Sequence, residues 1–347
     1  MTIFDVCISG AGPAGTSAAL ELARGGARVV LLDRHREPGG KACGGGLSRE
    51  SWRAAGLSPE RLPACGRSHD SLRVASPLGS TTLRIGEPLL VTIDRTSWMA
   101  ERIAELRDLG VEVRLAERVL GLRRGRALTE TGELRCSAIV GADGASSRIR
   151  RLAGLARGPA TRSMQLTVSE DSAPGRRLAR LGPAVWFDPR LLGVGYGWSF
   201  PVCGEVRVGC GVPGRSLGSP GPRKAFLAWL EKIGVDPSAG RIGAGSIPHG
   251  YSGHRLGDVF LCGDAAGLAS PVTGEGIGPA LISGAEVARE IMEPGFRSRE
   301  IPRLGRRHRR TFGLLSDLRL GAPLYGLAPW ILRLPGVGRE AIRRYAS

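Results

Sequence analysis

Residues 3–33 constrain the fold of this chain more than any other stretch. Ile3–Ser9 reads as a short buried strand with β-branched residues, and it runs into Gly10-Ala-Gly12-Pro-Ala14-Gly15. A helix follows to about Arg24, then a second strand over Ala27–Leu32 that Asp33 closes. In such a unit Gly10 permits a tight turn, Gly12 lets the backbone approach a pyrophosphate, and Gly15 lets helix and strand pack closely. The helix N-terminus offers N–H groups and the positive end of its dipole to phosphates. An acid at the end of the second strand accepts hydrogen bonds from ribose hydroxyls. The glycine spacing alone is weak evidence. Strand, helix, strand and terminal acid together predict a bound dinucleotide on a doubly wound α/β architecture.

Two distant segments separate FAD from a nicotinamide cofactor. Ser137–Gly144 reads as a strand ending Val140-Gly-Ala-Asp143-Gly144. Val259–Gly267 reads as a strand ending Cys262-Gly-Asp264-Ala-Ala-Gly267, followed by Pro271-Val-Thr273-Gly274-Glu-Gly276-Ile277, which opens a helix to about Met292. An Asp at a strand end can hold a ribityl hydroxyl. A Gly-rich helix N-terminus can point N–H groups at the flavin's pyrimidine oxygen, where charge grows on reduction. A nicotinamide dehydrogenase needs no such second arrangement, so FAD is the expected cofactor. Taken singly, each Asp also reads as a helix cap.

At 347 residues the chain exceeds one typical domain. Its formal charge is +17, and only Lys41, Lys224 and Lys232 are lysines, so the base is almost all arginine. That bias reads either as the composition of a GC-rich genome or as attraction to an anionic partner. Nucleic acid is not expected, because neither zinc-finger spacing nor interleaved aromatic and basic residues occur. The seven cysteines form no C-x-x-C and the five histidines no metal constellation, which points to reduced thiols, a cytoplasmic setting and no metal. No leader precedes Ile3, and no apolar run approaches the roughly 20 residues of a membrane span.

Four features give the chain a resemblance to the geranylgeranyl reductase family, a branch of the flavoproteins with the p-hydroxybenzoate hydroxylase fold. They are the N-terminal fingerprint, Lys41-Ala-Cys43-Gly44-Gly45-Gly46, Tyr196-Gly-Trp198-Ser-Phe200-Pro201, and Gly263-Asp264-Ala-Ala-Gly267 with Pro271, Thr273 and Gly274-Glu-Gly276-Ile277. The resemblance covers about residues 3–292. It implies that Ala14, Asp33 and the adjoining Arg34 meet the pyrophosphate and adenosine ribose. Cys43, Gly44 and Gly46 would line the flavin. Arg95 would reach the phosphates from the start of a Thr96–Leu109 helix. Val119 would meet the adenine, and Asp264, Gly276 and Ile277 would hold the ribityl chain and ring. Two departures stand out: the chain is shorter than many members, and Val202 follows Pro201 where a Lys is common.

Cys43 reads as a redox-active thiol, a proton donor or a packing residue; no second Cys adjoins it, which argues against a disulfide relay. Tyr196, Trp198 and Phe200 alternate on one strand face, as plain core or as the wall of an apolar substrate pocket. Beyond Ile301, Arg303, Arg306, Arg307, Arg309 and Arg310 crowd one segment, and Leu324, Tyr325, Trp330, Ile331 and Leu334 follow. This reads as a helical cap with solvated arginines or as a surface that sits peripherally on anionic lipid at the inner face of a membrane.

The expected architecture is α+β overall. A Rossmann-like FAD-binding domain gathers residues 1–70, 95–155 and 250–300, an antiparallel-sheet substrate domain gathers 71–94 and 156–249, and a helical basic region covers 301–347. The resemblance implies saturation of carbon–carbon double bonds in an isoprenoid or prenyl-lipid substrate, with NAD(P)H or a reduced ferredoxin-like protein as electron donor. Alternatives on the same fold are a flavin monooxygenase or halogenase. A non-catalytic flavin-binding, membrane-associated protein is the alternative of another class.

Overall fold

A computed structural model describes residues 3–58, 60, 62–84, 87–213, 221–317 and 321–333. By packing, the chain divides into two compact units. The first comprises Met1–Gly40, Thr96–Pro159 and Ile247–Arg310, and the second comprises Lys41–Arg95, Ala160–Ser246 and Thr311–Ser347.

The first unit is built on a parallel sheet. Its order is Val259–Leu261, Gly132–Gly141, Ile3–Ser9, Val29–Asp33, Glu112–Leu115. Val6, Cys7, Ile8, Val30 and Leu31 have no exposed surface, as expected of strands covered on both faces. The helix Pro13–Arg24 packs on this sheet beside the helix Ile277–Met292. Small residues permit their close crossing: a Cβ at Gly284 would meet the Ala14 carbonyl oxygen at 2.3 Å. Ser17 Oγ fixes the register by donating to the Leu281 carbonyl at 2.8 Å.

The second unit carries a seven-stranded sheet, ordered Gly240–Pro248, Ala160–Ser169, Glu205–Pro213, Tyr196–Val202, Ala184–Trp186, Ser71–Ser76, Gly79–Arg84. The pairings from Ala160–Ser169 to Ala184–Trp186 are antiparallel, and Ala184–Trp186 meets Ser71–Ser76 in parallel. The helix Pro222–Lys232 seats Phe226 and Trp229 in its core. A Cβ at Gly197 would lie 2.5 Å from the Trp229 ring, so glycine there is what lets the indole settle on the strand.

Several boundaries differ from the sequence reading. The second strand starts at Val29 rather than Ala27. The strand read over Ser137–Gly144 runs over Gly132–Gly141, and the one read over Val259–Gly267 stops at Leu261, because Gly263 turns to φ +56° and opens the short helix Gly263–Ala266. Residues 41–70, grouped above with the nucleotide domain, pack in the second unit. There Gly46–Leu47 and Gly66–His69 flank Leu90–Ile93 as antiparallel partners, a non-local pairing that local sequence cannot announce. The tail does not stand apart either. The helix Glu300–Asp317 starts in the first unit, burying Ile301 and Leu304, while Gly321–Ile331 packs on Ser71–Ser76 and Gly79–Arg84. The five tail arginines are exposed, and Trp330 Nε1 donates to the Leu78 carbonyl at 3.0 Å. Leu334 and the side chains of Leu324 and Tyr325 lie outside the described residues. Among the described residues no helix is long and apolar enough to cross a membrane.

Candidate active site

In the first unit the fingerprint turn folds as the sequence requires. Gly10 takes φ +110°, and a Cβ there would lie 2.3 Å from the Ala142 carbonyl oxygen. Its amide donates to the Leu32 carbonyl at 2.6 Å, which ties the turn to the second strand. Gly12 is the N-cap of the Pro13–Arg24 helix and, as a glycine, offers no capping side chain to the helix N-terminus. Asp33 braces the turn, accepting from the Ala11 amide at 2.7 Å through one oxygen and from the His35 amide at 2.8 Å through the other. Arg34 points elsewhere: its exposed guanidinium donates to Ser146 Oγ at 3.3 Å. Val119 is buried at the start of Val119–Arg123, just beyond Glu117, whose amide donates to the Asp33 carbonyl at 2.9 Å.

The Asp264 segment joins this turn. A Cβ at Gly263 would meet Ala14 Cβ at 2.9 Å and Ala280 Cβ at 3.2 Å, so Gly263 lies between the first turns of both long helices. The Gly263 amide donates to Ser283 Oγ at 2.8 Å. Gly276, the N-cap of Ile277–Met292, again lacks a capping side chain, and a Cβ there would stand 3.3 Å from Asp264 Oδ1. Two helix N-termini without side-chain caps thus flank Asp264. Asp143 behaves differently. Its Oδ2 caps the helix Arg148–Leu152 through the Arg148 amide at 2.6 Å and the Ile149 amide at 3.1 Å. Its Oδ1 is buried without a partner among the described residues, and burial pushes its carboxyl up. In the second unit, Arg95, the first residue of the helix Arg95–Asp108, has a buried Nε with no partner among the described residues.

These observations fit FAD. Within the first unit, the close approach at Gly10, two helix N-termini without side-chain caps and the unpartnered Oδ1 of Asp143 form a donor and acceptor set that a dinucleotide with two phosphates and many hydroxyls would satisfy. Gly10, Gly12, Ala14, Gly15, Asp33, Asp264, Gly276 and Ile277 are brought together. Sequence reasoning did not reach Ser283, or Arg102, whose Nε donates to Thr16 Oγ1 at 3.1 Å on the fingerprint helix; neither sits in a motif. Asp264→Ala is expected to weaken FAD retention while leaving the fold in place, read as the flavin-to-protein absorbance ratio after gel filtration. Full retention would remove Asp264 from the cofactor set.

In the second unit the Cys43 loop lies against the aromatic strand. A Cβ at Gly44 would meet Trp198 Nε1 at 3.0 Å and Phe200 Cδ2 at 3.1 Å, and one at Gly46 would meet Phe200 Cε2 at 2.9 Å. Gly45 turns at φ +75°, and its amide donates to Cys43 Sγ at 3.4 Å. Arg207, which sequence gave no reason to single out, holds the loop from behind. Its Nη1 donates to the Cys43 and Ile93 carbonyls, each at 3.4 Å, while Nη2 pairs with Asp94. Trp198 is buried, and Tyr196 and Phe200 are half-buried, so the stripe is core at its centre and accessible at both ends. Thr92 Oγ1 donates to the Pro201 carbonyl at 2.7 Å and must therefore accept from His69 Nε2 at 2.9 Å; burial pushes the His69 imidazole down to about 4, so it stays neutral near pH 7.

The family described as FAD dependent oxidoreductase matches residues 5–55. Digeranylgeranylglycerophospholipid reductase 1 of Methanopyrus kandleri is 33% identical over 317 residues, covering 84% of this chain and 81% of that protein. Geranylgeranyl diphosphate reductase of Rhodobacter capsulatus is 28% identical over 312 residues, covering 84% and 76%. Among solved structures, a geranylgeranyl bacteriochlorophyll reductase-like protein of Thermoplasma acidophilum superposes with a TM-score of 0.71 at 20% identity, over 100% of this chain and 92% of that one. A flavin-dependent brominase also reaches a TM-score of 0.71, at 18% identity, over 99% of this chain and 94% of its own, a likeness of fold alone. Fold and nucleotide cradle together define an FAD-dependent oxidoreductase. Within that class the chain belongs to the geranylgeranyl reductase family.

Proposed function

We propose that this enzyme saturates carbon–carbon double bonds in an isoprenoid chain of a prenyl lipid or prenyl diphosphate. The observation that carries the reading is the Cys43 loop, with its glycines seated against Trp198 and Phe200 in a chain one-third identical to a digeranylgeranylglycerophospholipid reductase. Bound FAD supplies hydride chemistry once reduced by NAD(P)H or a reduced ferredoxin-like protein. The remaining work falls to the chain. An unactivated alkene has no carbonyl to take up negative charge, so a proton must reach one carbon with or ahead of hydride arrival at its neighbour. We assign that proton to Cys43 or to solvent it orders. The cation-like centre that develops needs a dry surrounding, which an apolar wall of Tyr196, Trp198 and Phe200 provides. The exposed face of Arg303, Arg306, Arg307, Arg309 and Arg310 suits peripheral attachment to an anionic membrane surface.

The test is anaerobic incubation of the reduced enzyme with prenyl glycerophospholipids and prenyl diphosphates, followed by mass spectrometry. Products that gain two hydrogens per reduced double bond are expected without oxygen. Product formed only with oxygen and bearing a hydroxyl or halogen would replace the reductase reading with the monooxygenase or halogenase one.

A further inference from the structure

Cys65 and Cys203, 138 residues apart in the chain and both in the second unit, bring their sulfurs to 2.7 Å. That is within an ångström of the roughly 2.05 Å of an S–S bond. We propose that Cys65 and Cys203 form a reversible thiol–disulfide site, closed by a small disulfide of the glutathione type and reopened by a dithiol. Two further observations support this. Cys203 is exposed and Cys65, like Cys43, half-buried, whereas Cys7, Cys136, Cys210 and Cys262 are buried, so a small oxidant in solution reaches this pair. Cys203 also holds a backbone that cysteine rarely adopts. Its φ is +33° and that of Gly204 is +74°; together they turn the two-residue hairpin that joins Tyr196–Val202 to Glu205–Pro213, with Val202 paired to Glu205. Such turns draw Asn, Asp and Gly because both central residues need positive φ. A cysteine held there against its preference, with its sulfur on a second cysteine, marks a position where the thiol itself matters.

The exchange balances without other reactants. The thiolate of one cysteine attacks a sulfur of the small disulfide and expels one small thiolate, leaving a mixed disulfide. The second cysteine gives up its proton and attacks the protein sulfur of that mixed disulfide, expelling the other. Both protons end on the two small thiols, the protein loses two electrons, and the small disulfide gains them. Cys203 donates its thiol hydrogen to Cys65, which pushes its own ionisation up, so exchange speeds up on the alkaline side of neutrality. Closure has a structural consequence. The Cys65 carbonyl accepts from the Asp94 amide at 3.0 Å, Asp94 pairs with Arg207, and Arg207 donates to the Cys43 carbonyl at 3.4 Å. The bond would therefore brace the support of the Cys43 loop.

The experiment treats flavin-loaded full-length protein with oxidised glutathione, alkylates the remaining thiols and maps peptides without reduction. A loss of two hydrogens per chain, a single linked pair containing Cys65 and Cys203, and reversal by dithiothreitol are expected. Closing a loop of this length should also raise the melting midpoint by several degrees. Cys65→Ser and Cys203→Asn should lack both the link and the rise; the asparagine suits the turn, so that variant folds whatever the serine does. Persistent glutathione on both sulfurs, alkylation of both after oxidant, or a link made through Cys43 would overturn the proposal.

Discussion

Replacing Gly15 with alanine is expected to yield protein that holds no flavin and melts far below the parent. A Cβ at Gly15 would stand 1.8 Å from the Gly10 carbonyl oxygen and 3.2 Å from Ala142 Cβ. Both obstacles belong to elements that cannot move aside. Gly10 is fixed by the hydrogen bond its amide donates to the Leu32 carbonyl and by its approach to Ala142, and Ala142 by the hydrogen bond from its own amide to the Ser9 carbonyl at 2.8 Å. Overpacking of rigid surroundings costs about 1–3 kcal/mol when side chains can shift. Here backbone meets a methyl group well inside contact distance, so the upper end, about 3 kcal/mol or more, is expected. Relief would come from pushing the fingerprint helix off the sheet, and that displacement withdraws its N-terminal amides from the pyrophosphate position. Gly40→Ala, where nothing lies within 4 Å, serves as the control and should leave both melting midpoint and flavin content unchanged. The flavin-to-protein absorbance ratio and a thermal melt read both effects. A Gly15→Ala protein with full flavin and a midpoint within a degree or two of the parent would show that the packing is looser than described.

The same local character explains why this half of the site was legible in the sequence. Gly10, Gly12, Gly15 and Asp33 act within one strand–turn–helix–strand unit, so spacing along the chain is spacing in the structure. Asp264 and Gly276 were legible for a similar reason, since the turn just past a strand and the following helix N-terminus carry them. Asp143 shows the limit. It follows a strand end closely, as Asp264 does, yet two amides of the Arg148–Leu152 helix claim one of its oxygens, and nothing in its tetrapeptide distinguishes the two cases. Where the structure depends on pairing at a distance, the sequence was silent. Residues 41–70 join the second unit because two short strands flank Leu90–Ile93. Arg207 supports Cys43 from 164 residues away, and one arginine among so many carries no signal of that task. The aromatic stripe fell between these extremes: alternation placed Tyr196, Trp198 and Phe200 on one face, but only packing shows that Trp198 is buried while its neighbours stay half-open.

Cys43→Ala is expected to slow reduction of the prenyl double bond by about a hundredfold or more, the usual cost of removing a proton-transfer group, with FAD still bound. The expectation rests on how the loop is held. Its shape comes from Gly44 and Gly46 lying against Trp198 and Phe200, from Gly45 at φ +75°, and from Arg207 donating to the Cys43 carbonyl. None of these contacts involves the sulfur. The hydrogen bond that the sulfur accepts within the loop, among the described residues, comes from the Gly45 amide at 3.4 Å, and a thiol sulfur is a weak acceptor. Removing the thiol should therefore leave the loop standing, and a lost rate would report on the proton rather than on the fold. Cys43→Ser keeps a small group that can donate and order solvent, so its loss should be smaller than that of alanine. A packing cysteine predicts the reverse pattern: a lower melting midpoint, with turnover per flavin-loaded enzyme near that of the parent. Stopped-flow reoxidation of the reduced variants by substrate separates the two, because it follows only enzyme that already carries flavin. A rate for Cys43→Ala within about twofold of the parent, far short of what a general acid supplies, would take Cys43 out of the reaction and leave the proton to another donor beside the Trp198 strand.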